Sequence, residues 1–306
     1  MWWVVNCRLA SGKKSKKAFH YAVISVSQTV KCKPTNWCCK RKIVFLRCYS
    51  LCNHPYASSE RSLLNKIFPE MSIVQCDLII ENGIVLDEAN EINEVPLNVA
   101  VKDGKVLDVF DPKVNTCIYK AQEKYDASGC YVTPGLIDVH VHCYEHVTAL
   151  GINPDDACLA RGVTTVVDAG SAGCGTFKGL RKFIMEKNWT RVLALLHISS
   201  YGLAAAGCSA DANGGELDSL NHVQLDDCVK CIEENRDVIV GIKIRLSESI
   251  SNAGANEEEA YRRALAASQR TKLPLMVHHS ISSIPLAKDC NLKLSCPGDL
   301  RVGDMY

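Results

Sequence analysis

The sequence lacks several features that would have fixed its class at once. No apolar run reaches the ~18 residues needed to cross a membrane as a helix, so an integral helical membrane protein is excluded. No G-x-G-x-x-G follows the first strand-like segment, and Gly170–Gly175 has neither that spacing nor a phosphate-binding lysine. Dinucleotide and P-loop nucleotide chemistry therefore have no support. Residues 1–70 contain two acidic side chains against 13 Lys and Arg, and the group Cys32, Cys38, Cys39, Cys48, Cys52 and His54 within them lacks the paired C-x-x-C spacing of a zinc module. The 17 cysteines of the whole chain show no repeated spacing, so they do not form the framework of a small disulfide scaffold. They read as buried free thiols of a large domain in a reducing compartment.

What is present divides in two. Residues 1–70 carry a net charge of +11 (13 basic, 2 acidic), and residues 71–306 carry −10 (22 basic, 32 acidic). The basic extension has three readings. It could be a mitochondrial-type targeting segment, a nucleic-acid or metal module, or a stretch foreign to the native protein, with translation beginning at Met71. The third is favoured, and a nucleic-acid partner is not expected. The rest looks cytoplasmic, with a mitochondrial address as the alternative if the extension is a genuine presequence.

Residues 71–133 read as a small β-subdomain. Cys76–Ile80 and Ile84–Leu86 flank Glu81-Asn82-Gly83, and Leu97–Val101 and Lys105–Phe110 flank Asp103-Gly104. Both dipeptides predict hairpins. Residues 134–306 alternate strand and helix: a short helix at 153–161 with Asn153 as N-cap before Pro154, strand 164–169, helix 178–187, strand 191–199, helix 225–234, strand 237–246, helix 256–270, strand 273–280, and the beginning of another strand at 304–306. This alternation predicts a parallel α/β architecture, a barrel or a doubly wound sheet.

The chemistry centres on Pro134-Gly135-Leu136-Ile137-Asp138-Val139-His140-Val141-His142. A strand alternates its side chains between two faces, so Asp138, His140 and His142 project together. Two histidines one pleat apart can bind one metal ion. Asp138 lies too far back to be a ligand and suits an orienting role behind a histidine. Lys243 stands inside the apolar strand Val238-Ile239-Val240-Gly241-Ile242-Lys243-Ile244-Arg245. Burial disfavours the ammonium, and a neutral amine there can take up CO₂ as a carbamate; a salt bridge or an edge position is the plainer alternative. His278 and His279 end the strand over 275–277, and only one can point inward. His197 is a further inward candidate. Arg245 shares a face with Lys243 and could meet a substrate carboxylate, with a salt bridge the favoured role.

These segments resemble the metal-dependent amidohydrolase superfamily. The stretch 134–142 is similar to its first barrel strand, and 162–170, 241–247 and 273–278 to its second, fourth and fifth. The dihydroorotase-like deacetylase branch is the nearest in character. The resemblance implies a TIM-like (β/α)₈ barrel, incomplete here, with a small N-terminal β-sandwich. It implies two divalent ions, zinc by expectation: His140 and His142 on the first, a Lys243 carbamate bridging both, and His278, rather than His279, on the second. It also implies hydrolysis of amide or ester bonds (N-acetyl, O-acetyl or cyclic amide) in a small-molecule substrate. The family's sixth-strand histidine and eighth-strand catalytic aspartate find no counterpart before Tyr306, and Asp299 and Asp304 precede the expected position. Residues 134–306 are 173 in number, where such a barrel takes about 250. The expectation is an impaired hydrolase that aggregates or forms a homo-oligomer through an open edge. The alternative is a non-catalytic relative acting by subunit association.

Overall fold

The computed structural model describes residues 22–26, 42–47, 72–115, 117–204, 214–288 and 293–306. Most of residues 1–70 and the middle of the loop 199–215 lie outside these. Two compact units emerge, Met1–Leu136 with Leu159–Thr164, and Ile137–Cys158 with Thr165–Tyr306.

The first unit holds one seven-stranded sheet. Its strands are β1 (Ala22–Val26), β2 (Lys42–Arg47), β3 (Ser72–Asp87), β4 (Ile92–Lys102), β5 (Lys105–Phe110), β6 (Cys117–Asp126) and β7 (Cys130–Thr133), in the order β1-β2-β7-β3-β4-β5 with β6 also paired to β3. Ile80, Val85, Val99, Val101, Ala127, Cys130 and Val132 form its core. One predicted hairpin is present: β4 and β5 run antiparallel across Asp103-Gly104, both at positive φ (49° and 71°). The other is not. Asn82-Gly83 lies inside the continuous strand β3, which stays paired with β4 on both sides of it (Ile80 with Val99, Gly83 with Leu97). The register shifts there, Asn82 takes φ 62°, and its N–H donates to the Asn98 side chain at 3.0 Å. The dipeptide makes a bulge, since positive φ serves a bulge as readily as a turn.

The second unit carries a curved, five-stranded, parallel half-barrel. It contains β8 (Leu136–Val141), β9 (Val163–Gly173), β10 (Arg191–His197), β11 (Ile239–Leu246) and β12 (Leu275–His279), in the order β12-β11-β10-β9-β8. Each added strand pairs in parallel with its neighbour in sequence, as right-handed crossovers produce. Strands covered on both faces read as unbroken apolar runs. Accordingly β9 and β11 are buried almost throughout.

The expected helices form, with local differences. Asn153 caps Pro154–Ala157, its side-chain oxygen accepting from the N–H groups of Asp155 and Asp156. The segment after Phe177 winds as a π-helical stretch over Leu180–Met185. Helix α1 (Leu225–Glu234) buries Cys228 and Ile232, one turn apart, and helix α2 (Glu257–Thr271) buries Ala260, Tyr261, Ala264, Ala267, Ser268 and Thr271 as one stripe. The exposed side of α2 is laced by Glu258–Arg262 and Glu259–Arg263 pairs. After α2 and β12, Met305 pairs with Met276 in parallel, and Leu275 N–H donates to the Asp304 side chain at 2.8 Å. Residues 304–306 thus lie alongside β12, where the sequence places the beginning of a strand.

Candidate metal centre

Parallel pairing aligns the site. Across β10 and β11, His197 is in register with Lys243; across β11 and β12, Lys243 is in register with Met276 and Arg245 with His278. Register partners in a parallel sheet share a face, so His197, Lys243, Arg245 and His278 all project to one side. Lys243 is 3% exposed. The rings of His140 and His142 meet edge to face with centroids 5.6 Å apart. A cavity of about 270 Å³ is lined by His140, Lys243, His278 and His279, with Met276, Val277, Met305 and Tyr306. Of the two adjacent histidines, His278 lies within electrostatic reach of Lys243, Arg245 and His140, whereas His279 turns its Nε2 to the carbonyl of Ile284 at 2.9 Å.

Gly170 makes this convergence sterically feasible. It sits on β9 at φ +90°, and a Cβ there would come within 2.6 Å of Lys243 Cγ and 3.1 Å of His197 Cδ2. Any side chain at 170 would displace both.

Supporting groups fix the ring orientations. Asp168 is fully buried and accepts from the main-chain N–H of Cys143 (2.8 Å) and of Ser171 (2.7 Å). Ser171 Oγ stands 3.1 Å from His142 Nδ1. Where Ser171 Oγ accepts from His142 Nδ1–H, the Nε2 lone pair of His142 is left for a ligand. The Asp138 carboxylate accepts from the main-chain N–H of His140 at 3.0 Å, and its charge raises the His140 imidazole against the larger effect of burial. Arg245 donates Nε and Nη2 to the two oxygens of the fully buried Glu216, at 2.6 and 2.8 Å. Asp168, Ser171 and Glu216 have no role in the sequence reading.

The electrostatics favour neutral bases. Burial, with the charge of Arg245 adding to it, lowers the Lys243 amine to about 8, against the opposing pull of Asp168 and Glu216. Burial lowers His142 to about 4 and His197 to about 3, with His140 and Lys243, respectively, as the next causes. His140 and His278 shift down too, again chiefly by burial. The imidazole lone pairs a metal ion needs are therefore available at neutral pH, whereas Lys243 is mostly ammonium there and its free amine grows toward pH 8. Unfolded histidines take up protons near 6.5, whereas His142 and His197 resist until about 4 and 3. Below 6.5 the unfolded state thus binds more protons at these two positions, so their contribution to stability is complete above 6.5 and falls as pH drops toward 3, by several kcal/mol on an order-of-magnitude basis. Urea titrations of the metal-free chain at stepped pH check this: the midpoint should decline steadily from pH 6.5 to 4.5, and a constant midpoint contradicts it.

Among the described residues, no three His, Cys, Asp or Glu side chains converge tightly enough to hold an ion by themselves. The donor set is nonetheless suited to one. Lys243 Nζ and His197 Nε2 are buried there without a hydrogen-bond partner. Buried polar atoms are normally paired, so this grouping fits a site shaped around a further acceptor.

Comparison with known proteins agrees with the geometry. No protein-family model matches the sequence. Among curated proteins, a deacetylase of Agrobacterium fabrum is 35% identical over 178 residues, 58% of this chain and 42% of its own length. A deacetylase of Enterococcus faecalis is 33% identical over 228 residues, 73% of this chain and 55% of its own length. Among solved structures, a dihydroorotase superposes with a TM-score of 0.55 at 28% identity, covering 68% of this chain and 52% of that one. The chain spans about half the length of these relatives. The half-barrel order, the shared face of histidines and lysine, and these relatives together liken the chain to the amidohydrolase superfamily, on the side of its dihydroorotase-like deacetylases.

Proposed function

We propose that this chain carries the ligand-bearing part of a metal-dependent hydrolase that cleaves amide or ester bonds, of the N-acetyl, O-acetyl or cyclic amide kind, in a small-molecule substrate. The observation that carries the reading is Lys243, buried in an apolar strand with an unpartnered Nζ, on one face with His278 and in the cavity that His140 lines. Neutral Lys243 Nζ attacks the carbon of CO₂. An N–C bond forms, one C=O π pair moves onto oxygen, and Nζ loses one proton to solvent. The amine thereby becomes an anionic oxygen donor. His140, His142, His278 and the modified Lys243 would hold two divalent ions, with zinc suited to imidazole and oxygen ligands. When bound, such ions supply Lewis acidity that activates water and polarises a carbonyl. The chain's own contribution is to set Ser171 Oγ against His142 Nδ1, and to hold Arg245 on Glu216. No observation favours the reading by subunit association.

The test is acetate release from a panel of N-acetylated amino acids and O-acetylated hydroxy acids, with ring opening of dihydroorotate alongside. The reading predicts hydrolysis that stops on chelation and returns with zinc and bicarbonate. Hydrolysis indifferent to chelation contradicts it, as does a chain that takes up no divalent metal.

A further inference from the structure

We propose that His197 is a positioning residue that holds a carbamate on Lys243 by donating its Nε2–H to one of the carbamate oxygens. The proposal rests on the reading of Lys243 above and adds to it a residue from a different strand.

Five observations point there. His197 is fully buried at the end of β10 and in register with Lys243 on β11, so both side chains enter the same space side by side. Its Nδ1 accepts the N–H of Ser199 at 3.0 Å, which in a neutral ring puts the proton on Nε2. That proton has no acceptor. The nearest carboxylate oxygen, Glu216 Oε1, is 3.9 Å away, beyond hydrogen-bond length, and both Glu216 oxygens are engaged by Arg245. Lys243 Nζ is unpartnered in the same way. Finally, Gly170 of β9 approaches both side chains and presents no side chain of its own to serve as their partner.

Two buried donors side by side with no acceptor make a poor arrangement for a resting protein. One chemical change relieves both. Adding CO₂ to Nζ replaces an amine with a planar group bearing two acceptor oxygens, and brings an oxygen toward Nε2–H. One oxygen hydrogen-bonded to imidazole still leaves lone pairs on both for cations. The bond would slow loss of CO₂ and restrict rotation of the carbamate plane, as outer partners of metal ligands do.

The experiment uses the whole chain with zinc and ¹³C-bicarbonate and follows the carbamate carbon by NMR. The expected result is that His197→Phe, which keeps the volume but has no donor, needs roughly 10–100-fold more bicarbonate for the same carbamate intensity. His197→Gln, which keeps an N–H, should stay nearer the unsubstituted chain, a rescue that a purely structural role would not produce. A folded His197→Phe chain with unchanged bicarbonate dependence overturns the proposal. Should that variant fail to fold, the unsubstituted chain labelled with ¹⁵N-histidine decides. Its Nε2–H resonance should move as bicarbonate is added, and a resonance that stays in place overturns the proposal. A chain that shows no carbamate signal beyond that of Lys243→Met sinks the Lys243 reading itself, whereas a clear signal unaffected at His197 sinks only the role of His197.

Discussion

Glu216→Ala should destabilise the chain by about 3–5 kcal/mol, the range for removing one partner of a buried ion pair. Glu216 is wholly buried and meets Arg245 through two bonds of 2.6 and 2.8 Å, and the Arg245 side chain is only 19% exposed. Without the carboxylate, a guanidinium with little access to water would stand beside Lys243 and the rings of His142, His197 and His278, all of which already feel its charge. That loss is a large share of the ~5–15 kcal/mol by which domains are usually stable. Chemical denaturation checks it. Replacing both partners, as in Glu216→Leu with Arg245→Met, should recover much of the loss, because the unpaired charge is then gone. A Glu216→Ala chain within 1 kcal/mol of the parent would show that Arg245 finds water or another partner at no expense.

Lys243→Met should have opposite effects on stability and on metal binding. The amine is buried, unpartnered and held near a pKa of 8. A thioether of similar length removes that unsatisfied group, so the metal-free fold should be unchanged or more stable by about 1–3 kcal/mol. The same change deletes the anionic donor that the site would offer two ions, so divalent metal affinity should fall by more than the roughly 100-fold upper range for loss of an outer partner. Urea midpoints and competitive zinc titration measure the two sides. Such a trade marks a residue kept for function at some expense in stability. A Lys243→Met chain that is clearly less stable yet binds zinc as before would make Lys243 a structural residue.

How much of this was legible in the sequence depends on the range of the cause. The period-2 spacing of His140 and His142, and Lys243 inside an apolar strand, are local patterns, and the sheet carries them to one face as strand geometry requires. His278 is similarly legible once β12 is recognised. Asn82-Gly83 shows the limit of local chemistry: the dipeptide demands positive φ at Asn82, and only the continuous partner strand β4 decides that the outcome is a bulge. The supporting groups were out of reach for another reason. Glu216 lies 29 residues before Arg245 in a connecting segment, and the Asp168–Ser171–His142 chain spans two strands that only folding brings together. His197 stood out in the sequence as a lone inward histidine. Its meaning came from the unpartnered Nε2, which no spacing could reveal.

The central claim is that His140 and His142 open a divalent-metal centre in this chain, and metal content after buffer exchange tests it most directly. The chain is loaded with zinc and bicarbonate, passed through metal-free buffer, and measured for zinc per mole of protein beside a His140→Ala/His142→Ala variant. The account predicts zinc approaching two per chain that is lost in the double variant while its circular dichroism is retained. Equal zinc in the two proteins, or none in either, would contradict it.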